Sequence, residues 1–264
     1  MGSLLLKNKY REDRLLGLLK VKKRMDTKEV VNLLDISEST ARRFLAELER
    51  RGVVLRTYGG VRLSPEWDSD YYFDDLKRRR AEQKARIGAY AASLAADGDI
   101  LFLDSGTTLA AMAVSLSERI REGAIRDIQI YTNSLVNLKA LAPCAQVHLI
   151  GGLFRSKRQD FCGHLAEMVL SAIAFKKCFL GTDGISLEPS EGIMATDVYT
   201  AKMGEIIIGR SDQTYILADS SKFMRRSFIG YAPLDSPRLI ITDRDLKGEP
   251  LSLLRQSGTS VKRV

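Results

Sequence analysis

Six short apolar runs between residues 99 and 243 constrain this chain more than any other feature. They read DILFLDSGTT (99–108), IQIYTNS (128–134), VHLIGG (147–152), KCFLGTDG (177–184), TYILADSSK (214–222) and LIITD (239–243). Each is short, and each stops at a cluster of Gly, Ser, Thr, Asn or Asp. Amphipathic stretches separate most of them, at 107–121, 134–142, 163–175 and 196–210. A strand buried on both faces reads as an unbroken apolar run, and alternation with helices predicts an α/β domain with a mainly parallel sheet. SVKRV at 260–264 is a candidate edge strand.

The polar ends of these runs carry the candidate chemistry. In open α/β sheets, ligands bind beyond the carboxyl ends of the strands. Asp104, Ser105, Gly106, Thr107 and Thr108 follow the first run and open a helix. Small residues there leave backbone N–H groups free for an anion, and the helix N-terminus favours negative charge. Thr132 and Asn133, Gly151 and Gly152, Asp183 and Gly184, and Asp219, Ser221 and Lys222 end later runs. Lys222 offers a positive charge to a phosphate; Asp104, Asp183 and Asp219 offer acceptors to sugar hydroxyls. Taken singly, each motif reads equally well as a turn or a capped helix. Together, the five strand ends are expected to line one crevice.

The first quarter of the chain differs in charge. Of the net +8, residues 1–62 supply +7, with 15 Lys and Arg against 8 Asp and Glu. A small basic module beside a nearly neutral body is an electrostatic footprint for a polyanion. Periodicity predicts a helix over 10–22, with Leu15, Leu18, Leu19 and Lys22 on one stripe, and a second over 26–34, where Asp26 and Glu29 form a possible capping box. Ser37 caps a third helix running to about Arg51, with Gly52 at its C-terminal stop. VVLR (53–56) and VRL (61–63) are short strands around Tyr58-Gly59-Gly60. This pattern predicts a winged helix-turn-helix over 8–63.

On a helical wheel Ala41, Phe44, Leu45 and Leu48 share an arc of about 100° and form the core face. Ser39, Arg42, Arg43, Ala46 and Arg50 lie opposite. Small and cationic side chains suit entry into a major groove, where arginine meets phosphates and guanine edges. Arg56, Tyr58 and Arg62 extend the positive surface along the wing. The candidate DNA-contacting residues are thus Ser39, Thr40, Arg42, Arg43, Arg50, Arg56 and Tyr58.

Residues 64–80, SPEWDSDYYFDDLKRRR, have the composition of an exposed linker, with a helix starting near Ala81. Residues 81–264 are then the ligand-binding and oligomerisation domain. Three cysteines at scattered spacings and two histidines form no metal template, so no metal and no cofactor are expected. No run of 18 apolar residues occurs, and the leucines near residue 5 are too few for a signal-peptide core. A cytoplasmic protein without a membrane partner is expected.

The stretch ISESTARRFLAELERRGVVLRTYGGV (36–61) resembles the DeoR family of bacterial transcriptional regulators at Ser37, Thr40, Arg42, Arg43, Leu45, Leu48, Gly52, Arg56, Gly59 and Gly60. It departs at Ala41 and Phe44, where the family usually has Ile or Val and Asp. The resemblance continues through DSGTT, TNS, GG, FLGTDGI, EG (191–192) and LADSSKF. RTYGGV, GHLAE and VYTAKM are similar to the glucitol-operon repressor branch. It implies a second domain resembling ribose-5-phosphate isomerase and glucosamine-6-phosphate deaminase folds. It implies a repressor that binds double-stranded operator DNA as a homo-oligomer, dimer or tetramer, and is released by a phosphorylated sugar or polyol. Glu191 joins the candidate effector residues on this ground. The alternative is a sugar-phosphate isomerase or deaminase with an accessory DNA-binding head, using Asp104, Asp183 or Glu191 as general acid or base.

Overall fold

The computed structural model describes residues 10–12, 14–19, 22–51, 53–57, 59–63, 73–188 and 191–264. The chain divides into two compact units, Met1–Asp70 and Tyr71–Val264.

The first unit contains helical residues 10–12 and 14–19 (α1), strand β1 (Arg24–Asp26), helices α2 (Thr27–Leu34) and α3 (Glu38–Arg50), and strands β2 (Val54–Thr57) and β3 (Gly60–Leu63). Its core gathers Leu15, Leu16 and Leu19 of α1 with Val30, Leu34, Ala41, Leu45, Leu48, Val54 and Val61. Leu16 replaces Lys22 in the expected apolar stripe of α1, and Leu18 is only partly buried. The capping box forms: the Asp26 carboxylate accepts from the Glu29 N–H, and the Glu29 carboxylate accepts from the Asp26 N–H. Ser37 caps α3 by accepting from the Thr40 N–H.

The wing has three strands, in the order β1-β3-β2, not the two that the sequence suggests. A glycine makes the third possible. A Cβ on Gly60 would lie 2.5 Å from the Met25 carbonyl oxygen, so any side chain there would push β1 off β3. Met25 is buried in return. Gly59 makes the turn itself, at φ +76°.

In the second unit, α4 (Phe73–Arg78) and α5 (Ala81–Ser93) precede β4 (Ile100–Leu103), α6 (Thr107–Arg121), β5 (Gln129–Thr132), α7 (Leu135–Leu141) and β6 (Gln146–Leu149). A hairpin of β7 (Leu153–Arg155) and β8 (Asp160–Cys162) leads to α8 (His164–Ala172) and β9 (Phe175–Gly181). Next come β10 (Gly184–Ile185), β11 (Ile193–Ala195), α9 (Val198–Gly209), β12 (Ser211–Leu217), β13 (Ile229–Ala232), β14 (Leu239–Thr242), α10 (Glu249–Gln256) and β15 (Val261–Arg263). The main sheet has seven strands in the order β15-β14-β12-β9-β4-β5-β6, every pair parallel. The six apolar runs and SVKRV supply those seven strands. The sequence did not reveal the small antiparallel sheet β10-β11-β13 or the β7-β8 hairpin, whose strands of two to four residues carry no periodicity.

Side chains alternate between two cores. Leu101, Leu103, Phe179, Tyr215, Leu217 and Ile241 meet Ile87, Leu109, Met112, Leu116 and Leu141 of α5, α6 and α7. Phe102, Cys178, Leu180, Ile216 and Ile240 meet Ala166, Leu170, Ala201, Ile207, Leu251 and Leu254 of α8, α9 and α10. The chain leaves β4 towards β5 and β6, then returns to place β9 on the other side of β4. That reversal opens a crevice at the carboxyl ends of β4 and β9.

The linker expectation meets a partly different structure. Residues 64–72 lie outside the described ones, but 73–78 are helical, Phe73 is buried, and its N–H bonds the Lys157 carbonyl at 3.0 Å. Lys84 of α5 closes this segment by donating to the carbonyls of Leu76 and Arg79 at 2.5 and 2.7 Å. Burial lowers the Lys84 ammonium to about 8.

Helices α5 and α6 approach closely because position 88 is glycine. A Cβ there would stand 2.5 Å from the Met112 nitrogen and 2.7 Å from the Ala111 carbonyl carbon, both backbone atoms. Gly88→Ala is expected to destabilise the protein by about 1–3 kcal/mol through overpacking. An unchanged midpoint in chemical denaturation contradicts this account of the helix pair.

Candidate functional site

On α3, Ala41, Leu45 and Leu48 are buried and Phe44 is partly buried against them. Ser39, Arg42, Arg43 and Arg50 are exposed and Thr40 is half-buried. The same 13-residue helix therefore offers its cationic face to solvent. Arg42 pairs with Glu38 and Arg50 with Glu47, both at 2.6 Å. Pairs this exposed hold their cations loosely, so a phosphate can displace the carboxylate. Arg56, exposed on β2, stands 3.8 Å from Glu49. Arg51 differs: it binds Glu12 of α1 at 2.5 and 3.0 Å in a partly buried pair that ties the bundle together. Tyr58 lies outside the described residues.

The crevice of the second unit begins at Asp104. Its carboxylate accepts from the Ser105 N–H at 2.7 Å and from the Gly181 N–H at 3.3 Å, bridging the ends of β4 and β9. Burial pushes the Asp104 carboxyl up to about 6, and the charge of Asp160 adds to the rise. Gly106, at φ +120°, occupies the N-cap of α6, and no side chain caps that helix. The first N–H groups of α6 thus face the crevice without a side-chain acceptor. Thr107 and Thr108 are buried in this first turn.

Asp160 of β8 is fully buried and organises the opposite wall. It accepts from Ser105 Oγ at 2.7 Å and takes a two-point contact from Arg155, Nε and Nη2, at 2.8 and 2.7 Å. Arg155 Nη1 also reaches both oxygens of Asp197, the N-cap of α9, at 2.9 Å. Arg158 lies among Asp160, Asp183 and Asp197 at 3.5, 3.8 and 3.9 Å and donates to Thr196 Oγ1 at 3.1 Å. Burial opposes ionisation of Asp183, but Arg158, Lys222 and hydrogen bonds from Thr196 hold its carboxyl below the usual range. Lys222 is lowered by burial and supported by the charge of Asp183.

Not every expected residue faces a ligand. Thr132 is fully buried, and its hydroxyl accepts from the Ser134 N–H and from Asn137 Nδ2. Asn133 donates to the Phe161 carbonyl at 3.2 Å. Gly152 serves packing: at φ +141°, a Cβ would lie 2.5 Å from the Cys162 carbonyl oxygen. Gly184 likewise abuts the Arg225 carbonyl, which leaves no room for a Cβ. Gly151 is exposed. Glu191, near the far end of the β10–β11 hairpin, pairs with Arg226. Asp219 caps the 3-10 turn Ser220–Lys222 by accepting from Ser221, and is occupied further by Arg80.

The sequence pattern singles out none of Arg80, Arg155, Arg158, Asp160 and Asp197 as a site residue. RSKRQD (155–160), two residues beyond the double glycine, is a local charge cluster that contains Arg155, Arg158 and Asp160. Their partners sit 42 and 55 positions away, at Asp197 and Ser105. Arg80, at φ +53°, reaches Asp219 at 3.3 Å, Ser220 at 2.6 Å, Asp243 at 3.3 Å and Asp245 at 2.9 Å. The last residue of the supposed linker therefore clamps the turn that carries Lys222.

The crevice thus combines an uncapped helix N-terminus, cations at Arg158 and Lys222, and carboxylates at Asp104 and Asp183. This set suits a ligand with one anionic group and several hydroxyls. Among the described residues no group of three or more His, Cys, Asp or Glu has the geometry to hold a metal ion, and no helix is long and apolar enough to cross a membrane.

Residues 79–244 match the DeoR C terminal sensor domain and residues 11–66 the DeoR-like helix-turn-helix domain. The chain is 32% identical over 220 residues to the lactose phosphotransferase system repressor of Streptococcus mutans, covering 81% of this chain and 84% of that protein. It is 32% identical over 240 residues to the transcriptional repressor GlcR of Bacillus subtilis, covering 89% of each. Ribose 5-phosphate isomerase A of Methanocaldococcus jannaschii aligns in space over 54% of each chain, at 17% identity and a TM-score of 0.40.

Asp104 makes stability depend on pH. Its folded value of about 6 exceeds the ordinary 3.8, so the folded form takes up the proton more readily. That preference adds stability below about 4 and is lost as pH rises through about 6. Asp104→Asn, neutral throughout, is expected to raise the thermal midpoint at pH 7.5 by a few degrees, with the gain vanishing near pH 4. A difference that does not change with pH speaks against a strained carboxylate.

Proposed function

Because the chain belongs to the DeoR family of helix-turn-helix transcriptional regulators, we propose that it represses a sugar or polyol catabolic operon and leaves its operator when a phosphorylated sugar or polyol binds. One observation carries this reading: an exposed cationic helix face in one unit accompanies, in the other, a crevice that holds Arg158 and Lys222 together with an uncapped helix end. The similarity to the lactose phosphotransferase system repressor and to the repressor GlcR supports the repressor role. In this reading α3 enters the major groove, with Ser39, Thr40, Arg42 and Arg43 in its leading turns and Arg50, Arg56 and Tyr58 along the flanking backbone. The first domain spans 8–63 and the effector and assembly domain 81–264, in a cytoplasmic homo-oligomer.

In the crevice, the phosphate sits against the start of α6, from Ser105 to Thr108, with Lys222 and Arg158 as its cations. Asp104 and Asp183 receive hydroxyls. A ligand shifts DNA binding only through unequal affinity for two arrangements of the protein. The Arg80 clamp supplies a route, because it joins the Lys222 turn to the segment that leads from the DNA-binding unit.

A second reading rests on Asp104, whose carboxyl near 6 suits a general base. It calls for turnover of a sugar phosphate, whereas the repressor reading calls for binding without conversion. An assay of isomerisation and deamination on common sugar phosphates separates the two.

Two substitutions test the sites. Arg43→Ala is expected to weaken operator binding about 5- to 100-fold while leaving the midpoint unchanged, the range for one arginine contact; equal affinity at moderate salt removes α3 from the groove. Lys222→Ala is expected to retain operator affinity in gel-shift titration and to lose release by the effector. Normal release removes Lys222 from the phosphate site.

A further inference from the structure

Helices α8 and α9 leave an apolar surface uncovered. Leu165, Met168 and Val169 fall at i, i+3 and i+4 on α8, with exposures of 67%, 57% and 46%. The opposite stripe of α8, Ala166 and Leu170, is buried in the core, so the exposed stripe is a second apolar face rather than a displaced core face. Val198 and Tyr199 are 53% and 44% exposed in the first turn of α9. Both helices start at the strand-end side of the sheet and run back to the beginnings of β9 and β12, so these residues share one end of the layer. Leu153, also exposed, adjoins the start of α8: its Cβ lies 3.8 Å from where a Cβ on Gly163 would be.

We propose that this surface is the contact between two copies of this chain. The inference deepens the repressor reading above, and rests on its expectation of a homo-oligomer.

Area, charge and position select a second copy as occupant. Six such side chains, each about half open, expose on the order of 500 Å² of apolar surface, a patch size that marks an interaction site. A standard interface takes about 800 Å² from each partner, a little over half of it apolar. The patch is therefore the size that one stable two-fold contact needs. A two-fold contact places like against like, so a patch of one sign would repel itself. The rim here mixes signs, with the exposed Lys202–Glu205 pair at 3.0 Å and Glu167. It has no excess of cations to draw nucleic acid or an anionic lipid surface.

Position links the patch to the crevice. The β7–β8 hairpin and the α9 N-terminus that border the patch also carry Arg155, Asp160 and Asp197, which wall the ligand site. A second copy seated on α8 and α9 would rest on the back of that wall. Ligand-driven movement of the wall would then reach the partner and the spacing of the two DNA-binding units.

The test is sedimentation velocity on the full chain at micromolar concentration, comparing wild type with the double variant Leu165→Asp, Met168→Asp. Val114→Asp, on the exposed side of α6 across the sheet, is the control. The wild type and Val114→Asp are expected to sediment at twice the chain mass or more, and the double variant at half the wild-type mass. Its thermal midpoint should stay within a few degrees of wild type, since both substituted side chains lie outside the core. A double variant that keeps the wild-type mass overturns this surface and leaves the repressor reading intact. A wild type that stays monomeric, free and on operator DNA, overturns the assembly expectation itself.

Discussion

A fully buried carboxylate must be neutralised where it lies, and Asp160 is that carboxylate. Removing an ion from water costs several kcal/mol even after relaxation, and only close, well-directed partners offset it. Arg155 provides a two-point contact and Ser105 a hydroxyl, at distances of 2.7–2.8 Å. These bonds fix the β7–β8 hairpin over the end of β4. Because Arg155 also grips Asp197, the same network fixes the start of α9. The crevice wall, the Ser105 loop before α6 and the outer apolar surface all take their positions from it.

The crevice holds more acid than its cations fully satisfy, and this shapes what it can bind. Asp104 and Asp183 are close in role yet shifted in opposite directions. Asp104 has two backbone donors and a carboxylate neighbour, and burial prevails. Asp183 has Arg158 and Lys222 nearby, and their charges prevail over the same penalty. A ligand that brings an anion to Lys222 and Arg158 competes with Asp183 for them. A ligand that brings hydroxyls gives Asp104 the donors it lacks. In the proposed reading a sugar or polyol phosphate brings both, so recognition would depend on the two ends together.

Arg80 ties the Lys222 turn to the start of α5. It occupies a left-handed backbone position and serves four acceptors, three of them carboxylates. No single partner dominates such an arginine. In the proposed reading, a modest change in the Asp219–Lys222 turn would redistribute these bonds, which suits a two-state element.

The sequence alone determined the seven parallel strands, the intervening helices, the cationic face of α3 and the caps at Asp26 and Ser37. These follow from short-range physics: continuous burial, helical periodicity and a side chain bonding a backbone group three residues away. It also marked the crevice, since polar residues at the ends of apolar strands must face the same side of a parallel sheet. Only the tertiary structure decided which of those residues are available. Thr132, Gly152, Gly184 and Asp219 are occupied by packing, close backbone approach or capping, and Glu191 is paired with Arg226. It alone brought in Arg80, Arg155, Arg158, Asp160 and Asp197, whose partners are far away in the chain. Charge pairing across such separations leaves no periodic trace, because the chain between the partners may fold in many ways that satisfy the same local rules. The uncovered stripe of α8 was hidden for a related reason. A helix apolar on two faces reads in sequence as simply buried, and only the packed sheet shows which face has been left open.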